Sequence, residues 1–196
     1  TGVPTVVVLP GGPCRGVEYL DGLQLGAEHT LAVLHPRGTP TTGGLSRGWW
    51  RDAEDVVALL DALGLTAPAT WLTGTPDDGE LVAARRSEPE VAAAVAALLA
   101  APPGDEEAFQ RASATWAPAG YARWTVREQR HAAVGATSLA AARSWFGEVP
   151  PDAARLVLDA HLPRTLVVAG AEDIMTGVEP VEVYAQALGA SLADEG

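Results

Sequence analysis

Residues 6–16, VVVLPGGPCRG, decide the fold. The run VVVL is β-branched and uncharged, which is typical of a strand that is buried on both faces, and the sequence PGGP ends it. Two glycines directly after a buried strand let the backbone approach a bound molecule closely and leave N–H groups free to donate. The stretch predicts a strand that runs into a ligand-binding loop, with an ordinary strand-ending turn as the alternative for these residues alone.

Two further runs have the same character. Residues 31–34, LAVL, are followed by HPRG, and residues 166–169, LVVA, end at Gly170. Both favour buried strands, because they lack charge and are bounded by turn residues. We expect the three strands to be neighbours in one mostly parallel sheet, at residues 5–9, 30–34 and 165–169.

Helical patterns occupy most of the remaining sequence. Between Trp50 and Gly64 the apolar residues recur at three- and four-residue spacing, and a glycine follows the last of them. Residues 80–162 hold several Ala-rich helical stretches, divided by Pro and Gly, and no convincing strand. Residues 181–188 predict a last short helix that closes the chain. Alternating strands and helices favour an α/β fold with a helical insertion.

Length and charge exclude several classes of protein. The 196 residues suit one domain, and a formal charge of -12 makes binding to nucleic acid or to an anionic membrane surface improbable. Neither a membrane span nor a signal peptide is visible. The single cysteine excludes an internal disulfide, so the cytoplasm is the expected compartment. Nothing predicts a metal site or a cofactor, and the sequence leaves the oligomeric state open.

Four segments together resemble the α/β-hydrolases, in particular the proline iminopeptidase-like branch. Residues 6–16 resemble its first oxyanion-hole loop, and residues 34–42, LHPRGTPTT, resemble its D-x-R-G loop. Residues 51–65 are similar to the helix before the nucleophile strand, and residues 166–173, LVVAGAED, to the strand and turn that carry the triad acid. The resemblance implies an α/β-hydrolase-like, mostly parallel sheet with a helical cap. The core would comprise residues 1–79 and 163–196, and the cap residues 80–162.

The resemblance also implies roles for individual residues. Gly11 and Gly12 would donate to an oxyanion, and Asp173 would be the triad acid that orients a histidine. His35 replaces an acid of the family and would contact the substrate, as would Trp124 in the cap. A helix N-cap is the alternative role for Asp173. We expect the two glycines, His35 and Asp173 to line one cleft at the carboxyl ends of the strands.

The residues that perform the chemistry are missing from the pattern. No G-x-S-x-G nucleophile elbow occurs in the sequence. One alignment places residues 74–79 on the elbow, with Pro76 in place of the serine. The other interprets residues 69–78 as the loop that enters the cap, with the elbow missing before it, and we favour this second alignment. The family's histidine, expected after the last strand, has no counterpart either, so the nucleophile and the general base are unknown. We expect that segments of the protein are missing from the sequence.

Two functions remain open. The first is a serine hydrolase that acts on a small ester, amide or peptide through an acyl-enzyme. The second is a catalytically silent pseudo-hydrolase that binds an apolar ligand or a protein partner. Thr125 follows Trp124 where the family's cap has Trp-Glu, which counts against aminopeptidase specificity.

Overall fold

The computed structural model of the protein describes residues 5–11, 15–20, 28–65, 79–159, 165–189 and 191–195. The chain forms two compact units. The first unit comprises Thr1–Thr66, Pro103–Arg111 and Arg130–Val149, and the second comprises Ala67–Pro102, Ala112–Gln129 and Pro150–Gly196. The expected division into a core and a cap stays a prediction.

The first unit is built on a pair of parallel strands. Strand β1, Thr5–Val8, lies beside β2, Thr30–Val33, with Thr5 opposite Thr30. The prediction that these two uncharged runs are parallel neighbours is confirmed. Parallel strands align their carboxyl ends, so the loops after both strands leave from the same edge of the pair.

The first α-helix of the first unit follows from local sequence signals. Helix α1, Trp49–Leu63, has Asp52 in its first turn, where a carboxylate complements the helix dipole. Gly64 ends it in the left-handed conformation, with φ of 64°, and its N–H donates to the carbonyls near the end of the helix. The predicted helix and its glycine stop are confirmed.

The described residues between β2 and β3 contain helices after α1, as the Ala-rich pattern predicts. Pro and Gly separate them, because Pro cannot continue a helix and Gly weakens one. These helices are α2 (Gly79–Arg85), α3 (Pro89–Leu98), α4 (Glu106–Trp116), α5 (Val126–Ala132), α6 (Leu139–Trp145) and α7 (Ala153–Leu158).

The second unit contains the other pair of strands. Strand β3, Leu166–Gly170, lies parallel to β4, Ser191–Glu195, and α8, Val178–Ala187, connects them. Val167 and Ala169 of β3 pack on buried residues of α8 in one apolar cluster. This is a βαβ arrangement, in which a helix supplies the crossover that parallel strands need.

Three sequence predictions need correction here. The predicted strands are not buried on both faces, because Leu166 and Val168 of β3 are more than half exposed and no residue of β1 or β2 is fully buried. Among the described residues β1 pairs with β2 and β3 pairs with β4, so no single sheet contains all three predicted strands. The chain also does not close on a helix, because β4 follows α8. The sequence SLADE does not have the β-branched and aromatic residues that favour a strand. It forms one because its backbone pairs with β3. In its described residues the chain is thus an α/β protein with two pairs of parallel strands. Residues 69–78, which the favoured alignment interprets as the loop that enters the cap and the other places largely on the elbow, lie outside the described residues.

Across the part of the chain that the structure describes, no helix combines the length and the apolar character that a membrane crossing requires.

Candidate functional site

The turn after β3 holds Asp173 in a fixed conformation. The Asp173 N–H donates to the Gly170 carbonyl at 3.0 Å. Its side-chain Oδ1 accepts from the N–H groups of Met175 and Thr176, at 2.7 and 3.2 Å. Both N–H groups bind the same carboxylate oxygen, so Oδ2 is not needed for the turn. The alternative role of Asp173 as a helix N-cap is wrong, because α8 begins at Val178 with Gly177 at its N-cap. Asp173 instead caps the turn before that helix, which orients the carboxylate without using both of its oxygens.

Asp173 lies on the wall of a cavity within the second unit. The cavity has a volume of about 720 Å³, in the range of small-molecule sites. Its wall consists of the segments 119–123 and 170–173 together with Glu128 and Met175. Four charged residues are part of this wall, Glu128, Glu172, Asp173 and Arg123. Its apolar lining residues include Ala119, Ala122 and Met175.

Glu128 is a cavity residue that the sequence analysis missed. Its carboxylate accepts from the hydroxyl of Thr125 and, at 3.0 Å, from the Thr125 N–H. The hydroxyl contact is the main reason that the pKa of Glu128 lies below its ordinary value. The letters TVRE form a capping box at the start of α5, and that local signal could have identified Glu128. A carboxylate therefore lies against Thr125.

Trp124 contacts Tyr121, a residue of the cavity wall. Tyr121 lines the cavity, and its ring centroid lies 5.5 Å from that of Trp124 at an interplanar angle of 50°. Such tilted aromatic pairs are favourable and hold both rings in place. Trp124 is half-buried and packs on a wall residue. Its predicted contact with substrate stays a prediction.

The glycine loop belongs to the first unit. The Gly11 N–H donates to the Tyr19 hydroxyl at 3.0 Å, so the predicted oxyanion donor has a partner within the fold. The Arg15 guanidinium lies 4.5 Å from the centroid of the Tyr19 ring, a cation–π contact that holds the ring. Tyr19 was not singled out from the sequence, because nothing local connects it to a residue eight positions earlier. Gly12 and Cys14 lie outside the described residues.

His35 follows β2 in the first unit. Its carbonyl accepts from the Thr42 hydroxyl at 2.7 Å. Its ring Nδ1 is buried, and no described residue hydrogen-bonds to it. A buried polar atom without a partner is costly, so this nitrogen is suited to a partner beyond the described residues, either another part of the chain or a bound molecule. That feature is compatible with the predicted substrate contact, which stays a prediction.

The charged residues after His35 bind helix α1. Arg37 donates to both carboxylate oxygens of Asp55, with Nε–Oδ2 and Nη2–Oδ1 distances of 2.6 and 2.8 Å. This contact is the main reason that the pKa of Asp55 is lowered and that of Arg37 is raised. Asp52, only 7% exposed, accepts from the Ser46 hydroxyl at 2.5 Å and from the Arg47 N–H at 3.1 Å. These charged side chains therefore form contacts that hold the loop to helix α1.

The predicted site residues are distributed over both units. Gly11 and His35 belong to the first unit, while Trp124 and Asp173 belong to the second. The single cleft expected to contain the two glycines, His35 and Asp173 therefore stays a prediction. Within the described residues, no group of three or more His, Cys, Asp or Glu side chains is arranged to hold a metal ion.

Comparisons with known proteins add little to this description. No family model matches the chain, and no curated protein sequence matches it. One solved structure, described as "Est816 as an N-Acyl homoserine lactone degrading enzyme", is similar to this chain with 20% sequence identity and a TM-score of 0.47. The likeness covers 100% of this chain and 85% of that one. A likeness of this size assigns neither a fold family nor an activity to the chain.

Proposed function

We propose that the protein is a hydrolase that acts on a small ester, amide or peptide through an acyl-enzyme. The observation that carries the proposal is the Asp173 carboxylate. It follows a strand at the carboxyl end, two N–H groups orient it, and it lies on the wall of a cavity large enough for such a substrate. The resemblance of four sequence segments to α/β-hydrolases, the iminopeptidase-like branch in particular, supports the same reaction class.

In this proposal each site residue has one role. Asp173 holds a histidine in the orientation needed for a general base and stabilises its charged form. Gly11 and Gly12 donate to the oxyanion of the tetrahedral intermediate, and for this the Gly11 N–H exchanges its Tyr19 acceptor for the oxyanion. His35 and Trp124 contact the substrate. The nucleophile and the general base have no assigned residue in this chain.

The substrate would be small and partly apolar. Ala119, Ala122 and Met175 give the cavity an apolar surface that suits an acyl group or an aliphatic side chain. No cofactor or metal enters the proposed reaction. The single cysteine suits a reducing compartment, and the cytoplasm is the proposed location.

The proposal is tested on the polypeptide in the length that its native cell makes. We expect a fluorophosphonate probe to label it and p-nitrophenyl acetate to be hydrolysed with a burst, as an acyl-enzyme requires. Asp173→Asn should lower kcat about 10²- to 10⁴-fold, because an amide fixes the wrong histidine tautomer. Asp105→Asn is the matched control, since Asp105 is exposed and its Oδ1 accepts from the Ala108 N–H in a similar cap. Absence of both labelling and turnover would contradict the hydrolase.

A catalytically silent binding protein is the second candidate. It is favoured by one observation, that the sequence contains no G-x-S-x-G. Intact mass distinguishes the two at the start, because a native polypeptide well above 20.2 kDa has room for an elbow and a histidine segment. A native mass of 20.2 kDa, together with no fluorophosphonate labelling, would favour the binding protein.

A further inference from the structure

We propose that Arg85 is a positioning residue that fixes the peptide group leading into Asp173 and thereby the direction of its carboxylate. The inference rests on the proposed function for its catalytic consequence, whereas its structural part is independent of that function. Arg85 is the last residue of α2, and nothing in its sequence neighbourhood connects it to the turn after β3.

Arg85 is a buried cation with three directed contacts. It is 5% exposed. Its Nε and Nη2 donate to the two carboxylate oxygens of Glu88 at 3.1 and 3.4 Å, and its Nη1 donates to the Glu172 carbonyl at 3.2 Å. The last contact joins residues 87 positions apart. A buried guanidinium is retained when its donors are satisfied, and here one donor is directed at a turn of the cavity wall.

The Glu172 carbonyl and the Asp173 N–H belong to one planar peptide group. Arg85 donates to the oxygen of this group, and the N–H of the same group, that of Asp173, donates to the Gly170 carbonyl at 3.0 Å. A peptide plane held at both ends cannot rotate without breaking a hydrogen bond. The Cα of Asp173 therefore has a defined direction before its own side chain makes any contact.

Ile174, the residue after Asp173, belongs to an apolar cluster that involves helices α2 and α3. Ile174 is 4% exposed and packs in an apolar cluster with Val91 and Ala94 of α3. Leu81 and Val82 of α2 pack against this cluster. Helix α2 thus contributes to the contacts on both sides of Asp173: Arg85 binds the residue before it, and an apolar cluster buries the residue after it. The carboxylate lies between two fixed points, and loss of Arg85 removes one of them.

The experiment compares Arg85→Ala with Arg155→Ala in the native-length polypeptide. Arg155 lies in the same unit and pairs with Asp152 and Asp159 at 2.7 and 3.0 Å, but it is exposed. In Arg85→Ala, amide exchange at Met175 and Thr176 should accelerate about tenfold or more, since the turn that Asp173 caps loses its anchor. In Arg155→Ala these two amides should exchange as in the wild type.

Turnover supplies the second readout. A misplaced acid weakens the transition state rather than substrate binding, so kcat should fall about 10- to 100-fold in Arg85→Ala with KM unchanged. Added guanidinium, far below denaturing concentrations, should restore part of kcat by occupying the vacated position. Arg85→Lys preserves the charge and most of the buried stem but cannot bind Glu88 and Glu172 with the same fork, so it should give an intermediate kcat.

The outcomes separate this inference from the proposed function. Unchanged exchange at Met175 and Thr176 in a folded Arg85→Ala protein would overturn the positioning role, whatever the turnover. If Arg85→Ala does not fold, Arg85→Lys decides: wild-type exchange together with wild-type kcat would overturn the role. Accelerated exchange in a protein whose wild type shows no turnover would uphold the anchor and contradict the hydrolase.

Discussion

Two loops at the carboxyl ends of parallel strands use their charged residues in different ways. After β2, Arg37 binds Asp55 of α1 through both carboxylate oxygens, and Asp52 of the same helix binds Ser46. After β3, the Asp173 carboxylate caps its own turn through one oxygen and lies on a cavity wall. In both loops, charged residues follow the carboxyl end of a strand, and this is the sequence pattern from which we predict a site.

The difference comes from what each loop packs against. Helix α1 carries Asp52, Glu54 and Asp55 in its first two turns, and Arg37 and Arg47 bind them. The charges after β2 therefore hold the loop to the helix. The turn after β3 is held from outside by a guanidinium and by an apolar cluster, which leaves carboxylates for the cavity. We infer that a charged residue at a strand end indicates a site only where that charge is not already paired with another residue of the fold.

The largest effect on stability is expected at Asp52. Asp52→Ala removes the acceptor of the Ser46 hydroxyl and of the Arg47 N–H in a buried position. Leaving such donors without a partner should lower the free energy of unfolding by about 2–3 kcal/mol, measured by urea denaturation. Asp61→Ala, at an exposed position of the same helix, is the control and should cost little. Equal losses in the two variants would show that the network does not stabilise the loop.

A smaller effect is expected at the contact between Gly48, just before α1, and Gly147, just after α6. A Cβ on Gly147 would lie 3.1 Å from the Gly48 Cα, which is tighter than backbone contacts allow without a shift. Gly147→Ala should lower the free energy of unfolding by about 1–2 kcal/mol. Gly104→Ala, where no described atom lies within 4 Å of the added Cβ, should be nearly neutral in the same thermal or urea unfolding assay. Comparable stability of both variants would mean that this close approach is not part of the fold.

The smallest effect is a dependence on pH. Arg37 lowers the pKa of Asp55 below its usual 3.8, so the pair stabilises the fold above that value, and the contribution is lost as the pH falls through the lowered pKa. The gain is below about 1 kcal/mol because Arg37 is 44% exposed. Wild type should exceed Asp55→Asn in unfolding free energy at about pH 6, and the difference should shrink as the pH falls through the lowered pKa of Asp55. A difference that grows on acidification would contradict the ion pair.

Local signals predicted the local structure. The apolar spacing and Gly64 gave α1, and the uncharged runs gave β1, β2 and β3. These features depend on residues within one turn or one strand, where propensity and capping act directly.

Long-range contacts could not be predicted. Strand β4 is formed by pairing with β3, and the letters SLADE do not favour it. The Gly11–Tyr19 and Arg85–Glu172 contacts link residues whose proximity only the tertiary structure creates. The sequence nominates Asp173 because it follows a strand directly, whereas the contact of Arg85 with the peptide group before Asp173 has no sequence signal.

The central claim is that the charge after β3 serves the reaction while the charge after β2 serves the fold. The most direct test measures turnover and unfolding free energy in Asp173→Asn and Asp55→Asn of the native-length polypeptide. We expect Asp173→Asn to lose about 10²-fold or more in kcat, with its cap retained because Asn also accepts from N–H groups. Asp55→Asn should retain kcat and lose less than about 1 kcal/mol of stability. Unchanged kcat in Asp173→Asn, or a large loss of kcat in a stable Asp55→Asn protein, would contradict the claim.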